Sequence, residues 1–375
     1  MISFLKKIKD SLVIIFFYFS FFLLGDLIFS NLIYKDKLNI KYNCYEYKNF
    51  TYNKEIFHDY FLQKNCKATE SQKTAAPYKV FTDQDGYRFA GKKRLPRKNN
   101  LVFIGDSTTF GMGSKFEDSF VGITEKKKEN YGIYNLAVPG YGIQKYHFVL
   151  KEFFKTKTAS KIFVIIDMTD IHDAANRWVN IPNSISPVLE SAHINQEISS
   201  WKKLQNSNFK GSKLLIFYLR NFSRDIKIKI KSFIPSKKKT KNELDSSDWA
   251  NFTFVDKENL SINKDEFEKS LSIIELYFKK ISQLAKKNES EVFLVIFPWP
   301  ENLIHGQDKF NWEIFNKRLC KINNCPGLLN LFDDFRKIMN ENDNWQNLIY
   351  IKDDIHFTKF GNNLVADKIT SLIKD

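Results

Sequence analysis

The sequence predicts an α/β protein built on a parallel sheet with helices on both faces. Three observations carry this. Short, largely apolar runs recur along the chain, at Leu101–Ile104, Ile133–Leu136, Ile162–Ile166, Val292–Phe297 and Leu348–Ile351. Runs of this length without polar alternation read as strands buried on both sides. The segments between them have helical character, over Lys115–Lys128, Gln144–Phe154 and Thr358–Ile373. Before the fourth run, Leu271, Ile274, Phe278 and Ile281 recur at helical spacing, which makes one core-facing stripe. Finally, the apolar runs end in small polar corners: Gly105-Asp106-Ser107, Asn135 with Gly140 beyond it, Asp167-Met168-Thr169-Asp170, and Asp353-Asp354-Ile355-His356. Strands alternating with helices give a parallel, doubly covered sheet. In such sheets ligands gather at the carboxyl ends of the strands.

The ends of the runs therefore define the chemistry. They supply a hydroxyl, flexible backbone and an Asp-His pair, the parts needed for nucleophilic acyl transfer. A serine hydroxyl is too weakly acidic to attack an ester unaided, and histidine is the base suited to neutral pH. Ser107 is the candidate nucleophile and His356 the candidate base. Asp353, three residues before the histidine, is the expected acceptor for the other imidazole nitrogen, fixing its tautomer. The backbone N–H groups of Ser107 and Gly140 are the expected oxyanion donors. Asp106 reads as a brace for the turn rather than a reacting group.

With these residues in place, the chain resembles the SGNH (GDSL-type) hydrolase superfamily. That family carries a Gly-Asp-Ser block after the first strand, a Gly block, an Asn block and a C-terminal Asp-x-x-His block. Here Gly105-Asp106-Ser107, Gly140 in "NLAVPGYG" and "DDIHFTKFGNNLVA" match three of them. The resemblance covers roughly residues 100–178 and 290–375. It implies a flavodoxin-like three-layer α/β/α fold with a five-stranded parallel sheet, Ser107 as nucleophile, His356 as base and Asp353 as its orienter. The Asn block departs: Thr169 stands where the oxyanion-binding asparagine is expected, and Asn176 is a nearby alternative donor. The resemblance further implies action on acyl groups, acetyl above all, of an envelope glycan or glycolipid, by hydrolysis or by transfer to an acceptor. Two other readings remain open. One is a catalytically weak, carbohydrate-binding or assembly protein that keeps the fold; the other is a membrane-surface lipase.

The rest of the chain sets context. Of its 375 residues, 58 are Lys or Arg and 43 Asp or Glu, a net +15. The positive charge is diffuse, and no zinc, helix-turn-helix or aromatic-basic signature accompanies it, so nucleic-acid binding is not expected. Lys6, Lys7 and Lys9 precede an apolar run ending at Tyr34. The expectation is a cytoplasmic N-terminus at 1–10 and a transmembrane anchor at 11–34. An extracytoplasmic arm at 35–98 follows, with a hairpin-like turn at Asp85-Gly86. The hydrolase-like domain then fills 99–375. A cleaved signal peptide is the rival, but no small-x-small cleavage site follows the apolar run.

Residues 178–262 break the strand–helix rhythm and read as an insertion, either a lid or a lipid-facing segment. Cys44, Cys66, Cys320 and Cys325 permit two disulfides, and local spacing favours Cys44–Cys66 and Cys320–Cys325, with reduced thiols the alternative. Asp167, Asp170, His172 and Asp173 cluster in sequence, but their spacing defines no metal geometry, and neither metal nor cofactor is expected. Trp299 lies between two prolines, where it either stacks on a sugar ring or packs in the core. His58, His147, His193 and His305 carry no partner signal.

Overall fold

A computed structural model of the chain describes residues 2–28, 44–52, 55–70, 77–92, 97–177, 264–308, 310–352 and 354–373. Two compact units divide the chain, Met1–Ile40 with Pro187–Lys241, and Lys41–Ser186 with Asn242–Asp375. The described part of the first unit is one helix, α1 (Ile2–Ile28). Among the described residues no helix is long and apolar enough to cross a membrane. The span expected at 11–34 is thus not shown. Helix α1 covers the first part of that range, and 29–34 lie outside the described residues. The insertion at 178–262 also lies outside them.

The second unit opens with a two-stranded antiparallel ribbon, β1 (Tyr45–Tyr52) and β2 (Glu55–Leu62). An eight-stranded sheet follows. Its strands are β3 (Lys67–Glu70), β4 (Tyr78–Thr82), β5 (Arg88–Phe89), β6 (Asn99–Ile104), β7 (Tyr131–Asn135), β8 (Lys161–Ile165), β9 (Glu291–Ile296) and β10 (Gly327–Asn330). Their spatial order is β10-β9-β8-β6-β7-β5-β4-β3. The first five pair in parallel, and β5, β4 and β3 extend the edge antiparallel. Counted from β6, the parallel part runs 2-1-3-4-5, the flavodoxin-like order. The strand order reverses between β6 and β8, a switch point of the kind at which ligands gather at the carboxyl ends of the strands.

Two features differ from the sequence-based expectation. The fifth parallel strand is β10, not Leu348–Ile351. Residues Trp345–Ile349 form a helix, and Tyr350 makes an isolated bridge to Phe357. Both Ile349 and Tyr350 are buried, so an apolar run there is satisfied without a strand. The arm is also no separate body, because three of its strands complete the main sheet.

Side chains alternate across the sheet with period two. Val102, Ile104, Ile162, Val164, Leu294 and Ile296 enter one core. There they meet α4 (Ile143–Phe153), α6 (Lys264–Lys287) and α8 (Trp312–Ile322). The stripe Ile274, Phe278 and Ile281 of α6 packs here, as its spacing predicts. Leu101, Phe103, Phe163, Phe293 and Val295 enter the other core. They pack against α3 (Phe120–Lys127), α9 (Phe332–Glu341) and α11 (Lys359–Ser371). Phe103, Phe163 and Phe293 stack across three adjacent strands at 5.0 and 5.4 Å between ring centres. A layer of helices on each face of a mostly parallel sheet is the predicted α/β architecture.

Candidate active site

The apolar strand β6 stops at Ile104, and Gly105 lets the chain turn hard into the short helix α2 (Ser107–Phe110). A Cβ on Gly105 would sit 2.1 Å from the Thr109 hydroxyl oxygen, so only glycine fits. Asp106 caps α2: its Oδ1 accepts from the Thr108 N–H at 3.0 Å. Asn135 at the end of β7 donates to the Thr109 carbonyl at 2.9 Å and fastens the same turn. Ser107 thus stands half-buried at the first position of α2, where the helix makes no demand on its N–H.

His356 arrives from the far end of the sequence. Its loop is closed at both sides, by the Ile351 N–H on the His356 carbonyl at 2.8 Å and by the Thr358 N–H on the Ile349 carbonyl at 2.9 Å. Thr358 then caps α11 through the Gly361 N–H. The result brings His356 Nε2 to 2.8 Å from Ser107 Oγ across 249 residues of sequence. His356 is buried, with 10% of its side chain exposed, so its geometry is held by packing.

The acceptor for the second imidazole nitrogen is Asp354. Its Oδ1 lies 2.6 Å from His356 Nδ1 and also accepts the His356 backbone N–H at 3.1 Å. Burial alone would raise the Asp354 pKa, but the hydrogen bond and charge of His356 outweigh it and hold this carboxyl below its usual range. The role read onto Asp353 from an i,i+3 spacing is held by its neighbour; Asp353 itself lies outside the described residues. Asp354→Asn is expected to cut kcat on an activated ester by about 10²–10⁴-fold, through the wrong imidazole tautomer, whereas Asp353→Asn stays within severalfold of wild type. Steady-state kinetics of the two variants decides the assignment, and equal losses would refute it.

The Gly block forms a turn. The Tyr141 N–H donates to the Val138 carbonyl at 3.1 Å, and Gly140 sits at φ 70°, the left-handed conformation a type II turn requires. The arm braces it: Tyr60 Oη on β2 donates to the Pro139 carbonyl at 2.5 Å, and Tyr141 Oη donates to the Tyr60 carbonyl at 2.6 Å. Lys145 lies over both rings, 5.1 and 4.5 Å from their centres.

Thr169, the expected third oxyanion donor, is already engaged. Its hydroxyl lies 2.5 Å from Asp167 Oδ1 and 3.2 Å from Asp106 Oδ2. Its single hydrogen therefore points at a carboxyl group rather than at a substrate oxygen. The alternative donor, Asn176, belongs to α5 (Thr169–Arg177), but its side chain lies outside the described residues. Asp170 and Asp173 on α5 are buried beside Asp106 and Asp167. Among the described residues no set of three His, Cys, Asp or Glu side chains is arranged to hold a metal ion.

Two functional features escaped the sequence reading. One is Asp354, hidden by a double aspartate. The other is Arg88, a lone arginine on a two-residue strand. Fully buried, it donates to the carbonyls of Phe110, Gly111 and Ser114, the residues that follow the nucleophile turn. Cys44 pairs with Cys66 and Cys320 with Cys325, the pairing that local spacing favours.

No protein-family model and no curated sequence matches the chain. Among solved structures it is similar to a lipolytic protein of the G-D-S-L family from Veillonella parvula DSM 2008, at 14% identity over 73% of this chain and 97% of that one, with a TM-score of 0.38. It is also similar to Axe2, an acetylxylan esterase from Geobacillus stearothermophilus, at 10% identity over 74% of this chain and 95% of that one, with a TM-score of 0.37. A putative lipolytic protein of the G-D-S-L family from Desulfitobacterium hafniense DCB-2 matches at 11% identity, over 74% and 100%, with a TM-score of 0.38. At that distance the likeness assigns no substrate to the chain.

Proposed function

We propose that the chain is a serine esterase of the SGNH type that forms an acyl-enzyme on Ser107. The observation that carries this reading is the unbroken run Ser107 Oγ–His356 Nε2 at 2.8 Å and His356 Nδ1–Asp354 Oδ1 at 2.6 Å, placed at the switch point of the sheet. His356 takes the hydroxyl proton as Ser107 attacks the acyl carbonyl, and Asp354 stabilises the imidazolium. The proton then passes to the leaving alcohol, and water or a second alcohol resolves the acyl-enzyme. The donors proposed for the oxyanion are the backbone N–H groups of Ser107 and Gly140. Thr169, being held by carboxyl groups, adds no further donor.

The substrate class we infer, following what the resemblance in sequence motifs implies, is a short acyl ester on a carbohydrate. A panel of acetylated oligosaccharides, p-nitrophenyl acetate and p-nitrophenyl palmitate tests it. Release of acetate with little activity on palmitate is expected; preference for the long chain would favour the lipase reading instead. Transfer shows as acetyl on an added sugar acceptor at the expense of free acetate.

We also propose an extracytoplasmic, membrane-attached location. Consecutive Phe16, Phe17, Tyr18 and Phe19 on α1 are 67, 69, 75 and 59% exposed, and four successive positions face all round a helix. Such a helix suits lipid. Two disulfides suit an oxidising compartment. An alkaline phosphatase fusion after residue 40 is expected to be active and to resist carbonate extraction, and an inactive fusion would overturn the orientation.

A further inference from the structure

Asp106 lies beneath the nucleophile, and the hydrogens around it do not suffice for an ionised carboxyl. Its Oδ1 is satisfied by the Thr108 N–H. Its Oδ2 has two hydroxyl neighbours, Ser107 Oγ at 3.4 Å and Thr169 Oγ1 at 3.2 Å, each with one hydrogen, and the Asp167 carboxyl lies within hydrogen-bonding reach of Asp106 as well. The Ser107 hydrogen has a closer acceptor in His356 Nε2 at 2.8 Å. The Thr169 hydrogen has a closer one in Asp167 Oδ1 at 2.5 Å, which the Thr169 N–H also reaches at 2.7 Å. Asp106 Oδ2 is therefore left without a donor in a buried site, which is costly for a charged oxygen. A proton on Oδ2 resolves the count at once, because the Thr169 oxygen and the buried, unpartnered Asp167 Oδ2 are both open to accept it.

We propose that Asp106 is a positioning residue that works as a neutral acid: it donates a hydrogen bond to the Thr169 hydroxyl, which donates in turn to the Asp167 carboxylate. The inference rests on Ser107 being the nucleophile. A neutral carboxyl keeps the cap on α2 without placing a second negative charge 3.4 Å from the oxygen that attacks.

The groups facing Asp106 agree with this order of protonation. Burial first, then the neighbouring Asp167, with a lesser push from Asp173, raises Asp106 to about 8, against a downward pull from the Thr108 N–H and His356. Burial also raises Asp167, but the Thr169 bonds restrain it to about 6. Asp170 and Tyr146 are raised in the same cluster, by burial and by these carboxylates. Of the two carboxyls that Thr169 bridges, Asp106 thus holds its proton to the higher pH, as the hydrogen-bond count requires.

The test is the pH dependence of kcat/KM on p-nitrophenyl acetate between pH 6 and 9.5 with the full chain, for wild type and Asp106→Asn, with Ser107→Ala as the control. Wild type is expected to fall about tenfold per pH unit above a midpoint near 8. Asp106→Asn, which keeps a cap oxygen and a donor toward Thr169, is expected to retain at least about a tenth of wild-type activity at pH 6.5 and to lose that fall. A second readout is thermal unfolding. The folded state holds this proton more tightly than the unfolded chain, so the stabilisation it gives is present below the ordinary carboxylate range and gone once the pH has risen through about 8. Wild-type Tm should decline over that window and the variant's should decline less. A flat wild-type profile overturns the proposal, even if the variant does not fold. So does an identical alkaline fall in Asp106→Asn, or a folded variant that retains less than about a tenth of wild-type activity at pH 6.5. Undiminished activity in Ser107→Ala overturns the serine reading itself and is told apart by that control.

Discussion

Ser107→Ala is expected to lower kcat on an activated acetyl ester by about 10⁴-fold or more while leaving the fold intact. The serine oxygen makes two contacts, to His356 and, at the edge of hydrogen-bonding distance, to Asp106. Neither carries the core, and the side chain is half-buried at the head of a four-residue helix whose cap is Asp106. Removing one hydroxyl therefore removes the chemistry and little stability. Far-UV circular dichroism and Tm close to wild type, together with lost turnover, is the expected pair of results. His356→Ala should match it in rate, because nucleophile and base act as one unit and their losses do not add. A double variant no slower than either single one is the corresponding signature.

Arg88→Met is expected to cost about 3–5 kcal/mol of stability, because it removes one partner of a buried ionic and hydrogen-bonded network. The guanidinium is fully buried, holds three backbone carbonyls, and lies 4.4 Å from the centre of the Phe110 ring and 5.7 Å from that of Tyr78. Buried Glu70, bonded by Tyr78 Oη at 3.0 Å, is the acidic group whose charge offsets it. Without Arg88 the Glu70 charge loses its counterpart and the carbonyls of 110, 111 and 114 lose their donors. The turn that follows Ser107 then loosens, so activity per folded molecule should fall as well. Arg88→Lys should recover only part of both, since one ammonium cannot span three carbonyls in the same plane. Urea unfolding measures the first effect, and a cost below about 1 kcal/mol would show that the arm does not hold the turn.

These two residues mark the difference between what sequence reveals and what it conceals. Ser107 was legible because β6 is an unmistakable apolar run that ends in Gly105-Asp106. His356 was read at the end of Leu348–Ile351, which forms no strand, so the pairing of the two residues rests on their motif and not on converging strands. Strand β10 was not legible, since Gly327-Leu-Leu-Asn330 offers only two apolar residues between a glycine and an asparagine. The run at Leu348–Ile351 was a better strand by composition, yet its burial is met by a helix end and one bridge. Burial is what an apolar run encodes, and helix and strand both satisfy it. The turn at Asp85-Gly86 was visible, but its joining the sheet rests on one register pair, Arg88 opposite Asn135, and no local pattern records a pairing of that kind. Asp353 and Asp354 differ by one position. Residue order alone does not tell which carboxyl meets the imidazole, and Asp354 is the one that lies 2.6 Å from its Nδ1. Thr169 was read as a donor toward substrate because its position in sequence suggested it; Asp167, which takes its hydroxyl hydrogen, is a neighbour two residues away, whereas Asp106, beyond the end of β6, meets it only in the folded chain.

The central claim is that Ser107, His356 and Asp354 form one nucleophilic unit. Labelling with a fluorophosphonate probe, followed by mass spectrometry of the peptides, tests it most directly. A single adduct on Ser107, lost in His356→Ala and strongly slowed in Asp354→Asn, is predicted. No adduct under conditions that label a control esterase, or an adduct on another residue, would contradict it.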